Sequence, residues 1–107
     1  MLNVKYNLSE NTLIIFSSDN GGANYIHLSD INKPYRGWKL NHFEGGLHIP
    51  FMAKWPTKIK PGTIFDHPIH QNDIFSTFAA AADASIPNDR IIDGLLTKAL
   101  AIATLCL

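Results

Sequence analysis

The chain has 107 residues, 46% of them hydrophobic and 17% charged, which leaves room for one small domain and excludes a largely disordered polymer. Nine basic residues balance nine acidic ones, so the formal net charge is zero. That balance gives no support to a nucleic-acid or anionic-membrane partner, since those surfaces are bound by clustered Lys and Arg.

In chain order, residues 1–9 carry no apolar stretch behind a basic start, so no signal peptide is visible. Residues 11–18, NTLIIFSS, form an unbroken run of apolar and β-branched side chains, which predicts a strand covered on both faces, as in a parallel sheet. The run stops at Asp19-Asn20-Gly21-Gly22, a strong breaker cluster. Residues 23–46 lack periodicity and predict a long functional loop. Residues 48–55, HIPFMAKW, predict a second strand, with Pro50 placing its start at an edge or irregular position. The segment 56–62, PTKIKPG, predicts a turn.

Residues 73–82, DIFSTFAAAA, predict a helix that Asp73 can cap and whose apolar face holds Ile74, Phe75 and Phe78. Ser85-Ile86-Pro87-Asn88 ends it, and Asp93-Gly94 marks another turn. The tail 95–107 reads as a short helix or a ragged end. Its Cys106 is the single cysteine, which excludes an internal disulfide framework and a zinc site built from several thiolates. No stretch approaches the roughly 20 apolar residues of a membrane span. Two short strands and a helix are too little for a protected α/β sheet, so the chain reads as part of a larger domain.

Asp19 and Asn20 follow the first strand directly and would emerge at its carboxyl end, the edge where open α/β sheets bind ligands. A carboxylate beside a carboxamide offers the hard oxygen ligands that Ca²⁺ and Mg²⁺ take. The same tetrapeptide also suits a plain turn. Lys39, in RGWKLNHFEGG, is a suitable point charge for an oxyanion such as sulfate or phosphate, and equally a solvated surface lysine. Glu44-Gly45-Gly46 suits either an acid on a flexible turn or a turn before the next strand. His42 and His48 do not match a common metal spacing, and Pro68 argues against the helix that His67 and His70 would need to bind metal together. Trp38, Phe43 and Trp55 read as packing residues.

Taken in order, NTLIIFSSDNGG, RGWKLNHFEGGLHIPFMAKWP, KIKPG, DIFSTFAAAADASIP and IDG resemble the second half of the sulfatase catalytic domain. The resemblance is to the arylsulfatase branch of the alkaline-phosphatase-like superfamily, over about residues 11–94. It implies an α/β fold class: a partial sulfatase fold, a fragment of a mainly parallel sheet with flanking helices. Residues 1–94 would be a C-terminal portion of the catalytic domain, and 95–107 a divergent or truncated tail.

By the same resemblance, Asp19 and Asn20 match two ligands of the family's divalent cation, usually Ca²⁺, and Lys39 matches the lysine that contacts the substrate's sulfate group. Family members use a formylglycine nucleophile made within a Cys/Ser-x-Pro-x-Arg motif, and no such motif occurs in this sequence. The resemblance therefore implies a fragment that acts on a sulfated small molecule or glycan only through the complete enzyme, with the N-terminal half of the domain supplied. Periplasmic, secreted or lysosomal placement is the family's expectation. Three departures from the arylsulfatase pattern stand out: His48 for Arg, Trp38 for Gly, and Ser76-Thr77 for Pro-Thr. The alternatives are a free-standing module that binds an anion or metal without catalysis, or a piece of a phosphodiesterase or phosphonate hydrolase. In the latter a His often stands where Asn20 is, so Asn20 favours sulfate.

Overall fold

The computed structural model describes residues 5–28 and 30–94; the expected tail at 95–107 lies outside the described residues. In chain order the elements are strand β1 (Ile14–Ser17), a 3-10 turn at Asn24–Ile26, a single helical turn α1 (Glu44–Leu47), strand β2 (Phe51–Lys54) and helix α2 (Asp73–Ala81). They fall into two compact units, one spanning Ile14–Ala53, the other drawing its described residues from 5–13 and 54–94.

In the first unit β1 and β2 pair as a two-stranded sheet. The Ser17 hydroxyl donates to the Pro50 carbonyl at 3.1 Å, and the Gly21 amide donates to the Gly46 carbonyl at 3.0 Å. As the chain advances from 17 to 21, its partner retreats from 50 to 46, so the strands run antiparallel. The mainly parallel sheet expected from the sequence is therefore not what these two strands form. An unbroken apolar run reports burial on both faces, not strand direction. Both strands are also shorter at their starts than expected, beginning at Ile14 and Phe51 rather than at 11 and 48.

Along β1 exposure alternates, with Ile14 and Phe16 47% and 62% exposed and Ile15 and Ser17 half-buried. Apolar side chains thus stand on both faces of a ribbon that leaves them largely uncovered. Among the described residues the buried positions are Gly21, Gly45, Gly46, Asp73 and Ser76, none of them a large apolar side chain. What is packed tightly here is backbone against backbone.

In the second unit α2 forms where the sequence predicts a helix. Its first turn is held by Asp73, whose carboxylate accepts the backbone N–H of His70 at 2.9 Å, while Asn72 takes the cap position without a side-chain bond. Asp73 is thus not the cap expected from the sequence: it is the first helical residue, and its carboxylate ties down the chain before the helix instead of a helix N–H. Ser76 is buried, and its hydroxyl donates to the Gly94 carbonyl at 3.3 Å, tying the Asp93-Gly94 turn to the helix. The helix ends with Asp83 left-handed at φ 52° and the Ala84 amide reaching back to the Ala79 carbonyl at 2.8 Å, a Schellman-type closure. Trp55 donates its indole N–H to Asn11 at 3.0 Å, fixing the chain on either side of the ribbon within this unit.

Candidate functional site

The site residues expected from the sequence all lie in the unit Ile14–Ala53. Asp19 is exposed and Asn20 half-buried on the loop that leaves β1. The Ser18 hydroxyl donates to the Asn20 carbonyl at 2.8 Å, which holds the loop in a tight turn. The Asn20 carboxamide nitrogen donates to the Gly21 carbonyl at 2.9 Å, so its oxygen is the end turned away from that bond. Two oxygen donors in sequence, one anionic, fit a hard divalent cation. Among the described residues no three His, Cys, Asp or Glu side chains converge on one point, so the pair would supply at most part of a cation's shell.

Lys39 is half-buried in the loop between the 3-10 turn and α1. Its backbone N–H donates to the Gly22 carbonyl at 3.1 Å, two residues beyond Asn20. Sequence reasoning placed Asp19, Asn20 and Lys39 in separate motifs; the fold ties their two loops together through the main chain.

The tie depends on residues without side chains. A Cβ on Gly21 would lie 1.9 Å from the Gly45 carbonyl oxygen, and a Cβ on Gly45 would lie 2.3 Å from the Gly37 oxygen. The Gly45 amide donates to Arg36 at 2.7 Å. Glu44-Gly45-Gly46, expected as a turn, is instead the helical turn α1, and its two glycines are buried because the Asp19–Gly22 loop and the Arg36–Gly37 backbone press directly on them.

Asn32 was not singled out by the sequence. Its side-chain oxygen accepts the Gly22 amide at 2.7 Å, and its nitrogen donates to the Gly22 carbonyl at 2.9 Å and the Gly37 carbonyl at 3.0 Å. An Asn in a loop between a 3-10 turn and a proline carries no local signal for such contacts, since both partners are remote in sequence or reached only by the fold.

The other candidates take structural places. His48 stacks on Tyr35 with ring centroids 4.3 Å apart, and its Nδ1 stands 3.3 Å from the Glu44 carboxylate. Arg36 lies over the Phe43 ring at 4.1 Å. His70 accepts the Asn72 amide at 3.2 Å, and His67 meets Phe65 edge-on. Trp38 and Phe43, expected to pack, are 44% and 45% exposed. Trp38 and Tyr35 line a pocket of about 390 Å³ together with Asn24, His27 and Lys33. Away from the site, the Arg90 guanidinium beside Asp89 holds that exposed carboxyl below its ordinary range through bonds of 2.9 and 2.7 Å. No helix among the described residues is long and apolar enough to cross a membrane.

Comparison with known proteins agrees with the motif order. A family model described as Sulfatase matches residues 4–84. The steryl-sulfatase of Rattus norvegicus is 40% identical over 96 residues, covering 84% of this chain and 17% of that protein. The N-acetylgalactosamine-6-sulfatase of Canis lupus familiaris is 38% identical over 90 residues, covering 82% of this chain and 17% of its own length. The chain thus spans about a sixth of the length of these curated relatives. Among solved structures, Ps i-CgsB in complex with k-i-k-neocarrahexaose superposes with a TM-score of 0.83 at 35% identity, over 94% of this chain and 22% of that one. With its motifs, their order and these likenesses in agreement, the chain belongs to the sulfatase family.

Proposed function

We propose that the chain contributes one wall of a sulfatase active site, with Asp19 and Asn20 as ligands of a divalent cation, Ca²⁺ by preference, and Lys39 as a sulfate contact. The observation that carries this reading is the main-chain tie between the two loops, Lys39 N–H to Gly22 O at 3.1 Å. This backbone contact supports the reading because it makes the loops that carry Asp19, Asn20 and Lys39 neighbours within one unit.

A sulfate ester carries negative charge on its free oxygens, and cleavage places more on the leaving oxygen. When bound, a divalent cation supplies Lewis-acid stabilisation of that charge. The Asp19 carboxylate and the Asn20 oxygen would hold it, and the Lys39 ammonium would pair with a sulfate oxygen without reorganising as charge develops. The substrate class is a sulfated small molecule or glycan, approached through a complete catalytic domain. On this reading the nucleophile comes from another part of the catalytic domain, as no Cys/Ser-x-Pro-x-Arg occurs in this sequence, and the chain alone does not turn over a sulfate ester.

Two assays test this. The purified chain, given an aryl sulfate, should show no turnover above background; turnover abolished by Asp19→Ala would overturn the view that it needs a partner segment. A chimera carrying residues 4–84 in place of the matching stretch of the dog N-acetylgalactosamine-6-sulfatase should retain activity that Asp19→Ala and Lys39→Ala each remove. An active chimera indifferent to both substitutions would sink the site assignment.

A further inference from the structure

We propose that Asn32 is a positioning residue, a clasp that sets the distance between the Asp19–Asn20 cation loop and the Lys39 anion loop; the inference rests on the reading of those loops as one site. The Asn32 side chain uses its whole donor set in this role. One N–H goes to the Gly22 carbonyl and the other to the Gly37 carbonyl, while its oxygen accepts the Gly22 amide. Gly22 stands two residues after Asn20, and Gly37 two residues before Lys39. The Gly22 carbonyl is the shared node, because its second lone pair accepts the Lys39 amide at 3.1 Å.

The chemistry of the clasp is specific to asparagine. It needs one acceptor and two donors on a planar group at the end of a single methylene. Asp keeps the size but has no donor and sets a negative charge against two carbonyl oxygens. Gln has the groups on a longer stem, and Ala has none. The orientation of the amide is not ambiguous, since only the oxygen can receive the Gly22 N–H. Because the clasp touches neither proposed ligand, it acts by geometry. Its effect belongs in the cooperation between cation and anion, not in the affinity for either alone.

The test uses the full chain, with Ca²⁺ and methyl sulfate as probes and two-dimensional NMR of the Asp19, Asn20 and Lys39 signals as readout. In the unsubstituted chain, saturating Ca²⁺ should tighten methyl sulfate binding at Lys39 severalfold. Asn32→Ala should bring that ratio to one, with each ligand's separate affinity changed less than twofold. Asn32→Asp, which matches the native size, should do the same, and it carries the test if Asn32→Ala fails to fold. Coupling retained in a folded Asn32 variant overturns the clasp and leaves the site assignment standing. Absence of both ligands from the unsubstituted chain's Asp19 and Lys39 signals overturns the site assignment and the clasp with it.

Discussion

Gly21 and Gly45 meet backbone to backbone: a methyl group on Gly21 would lie 1.9 Å from the Gly45 carbonyl oxygen, well inside any van der Waals contact. The contact joins the loop leaving β1 to the helical turn α1 and leaves no space for a side chain on Gly21, while a side chain on Gly45 would meet the Arg36–Gly37 backbone instead.

Gly21→Ala should therefore destabilise the chain by about 2–3 kcal/mol or more, since the overlap is with rigid backbone and not with a movable side chain. Urea unfolding gives the comparison. Gly62→Asn is the control: nothing stands within 4 Å of a Cβ there, and Asn tolerates the positive φ of 80°. Equal midpoints for the two variants would show that the close approach does not persist in solution.

Leu40 offers the opposite case. It sits at φ 79° between Lys39 and Asn41, with 87% of its surface exposed, so it holds a left-handed conformation without burying its side chain. Leu40→Gly should stabilise by about 0.5–1 kcal/mol, the strain of roughly 1–2 kcal/mol being partly offset by glycine's greater chain entropy. A lower thermal midpoint for the variant would refute it.

At α2, Asp73→Ala removes the carboxylate that accepts the His70 amide and should cost about 1 kcal/mol, the net worth of one such hydrogen bond. Ser76→Ala should cost a comparable or smaller amount, because the bond to Gly94 is long at 3.3 Å and the cavity left is small. Chemical denaturation of both variants against the unsubstituted chain checks the order.

For catalysis, Lys39→Ala in the active chimera should lower kcat by about 10²–10³, the usual effect of removing one fixed group that stabilises developing charge. Calorimetry on the chain alone should find Ca²⁺ held no more tightly than about 1 mM, the weak end of protein calcium sites, if Asp19 and Asn20 are its two ligands as proposed. Submicromolar affinity would mean that further oxygens complete the shell.

The exposed apolar ribbon makes its own forecast. Ile14, Phe16 and Met52 are 47%, 62% and 58% exposed, so the chain should bind a hydrophobic dye. Ile14→Thr with Phe16→Thr should reduce that fluorescence by half or more while leaving the helix content of α2 unchanged by circular dichroism.

How much of this was legible beforehand follows from which interactions are local. The strand at Ile14–Ser17, the helix at Asp73–Ala81 and the break at Asp19–Gly22 rest on residues adjacent in sequence, and composition and period located them. Motif order named the family, because Asp-Asn-Gly, Lys and Glu-Gly-Gly at these spacings need no coordinates to be read. Strand direction was not legible: an apolar run says that both faces seek cover, and only the pairing of 17 with 50 and 21 with 46 says which way the second strand runs. The helical turn at Glu44–Leu47 was hidden for a similar reason, since two glycines read locally as a turn and became helical under the pressure of remote backbone.

The sequence by itself determined the chemistry on offer: a carboxylate, a carboxamide and an ammonium in a sulfatase order, without the family's nucleophile motif. The tertiary structure decided that these groups share one unit, and through Gly22, Gly37 and Asn32 it decided how their loops are tied. The reason is physical. Hydrogen bonds such as Gly21 to Gly46 close across 25 residues, and a local pattern carries no record of which distant amide a carbonyl will meet.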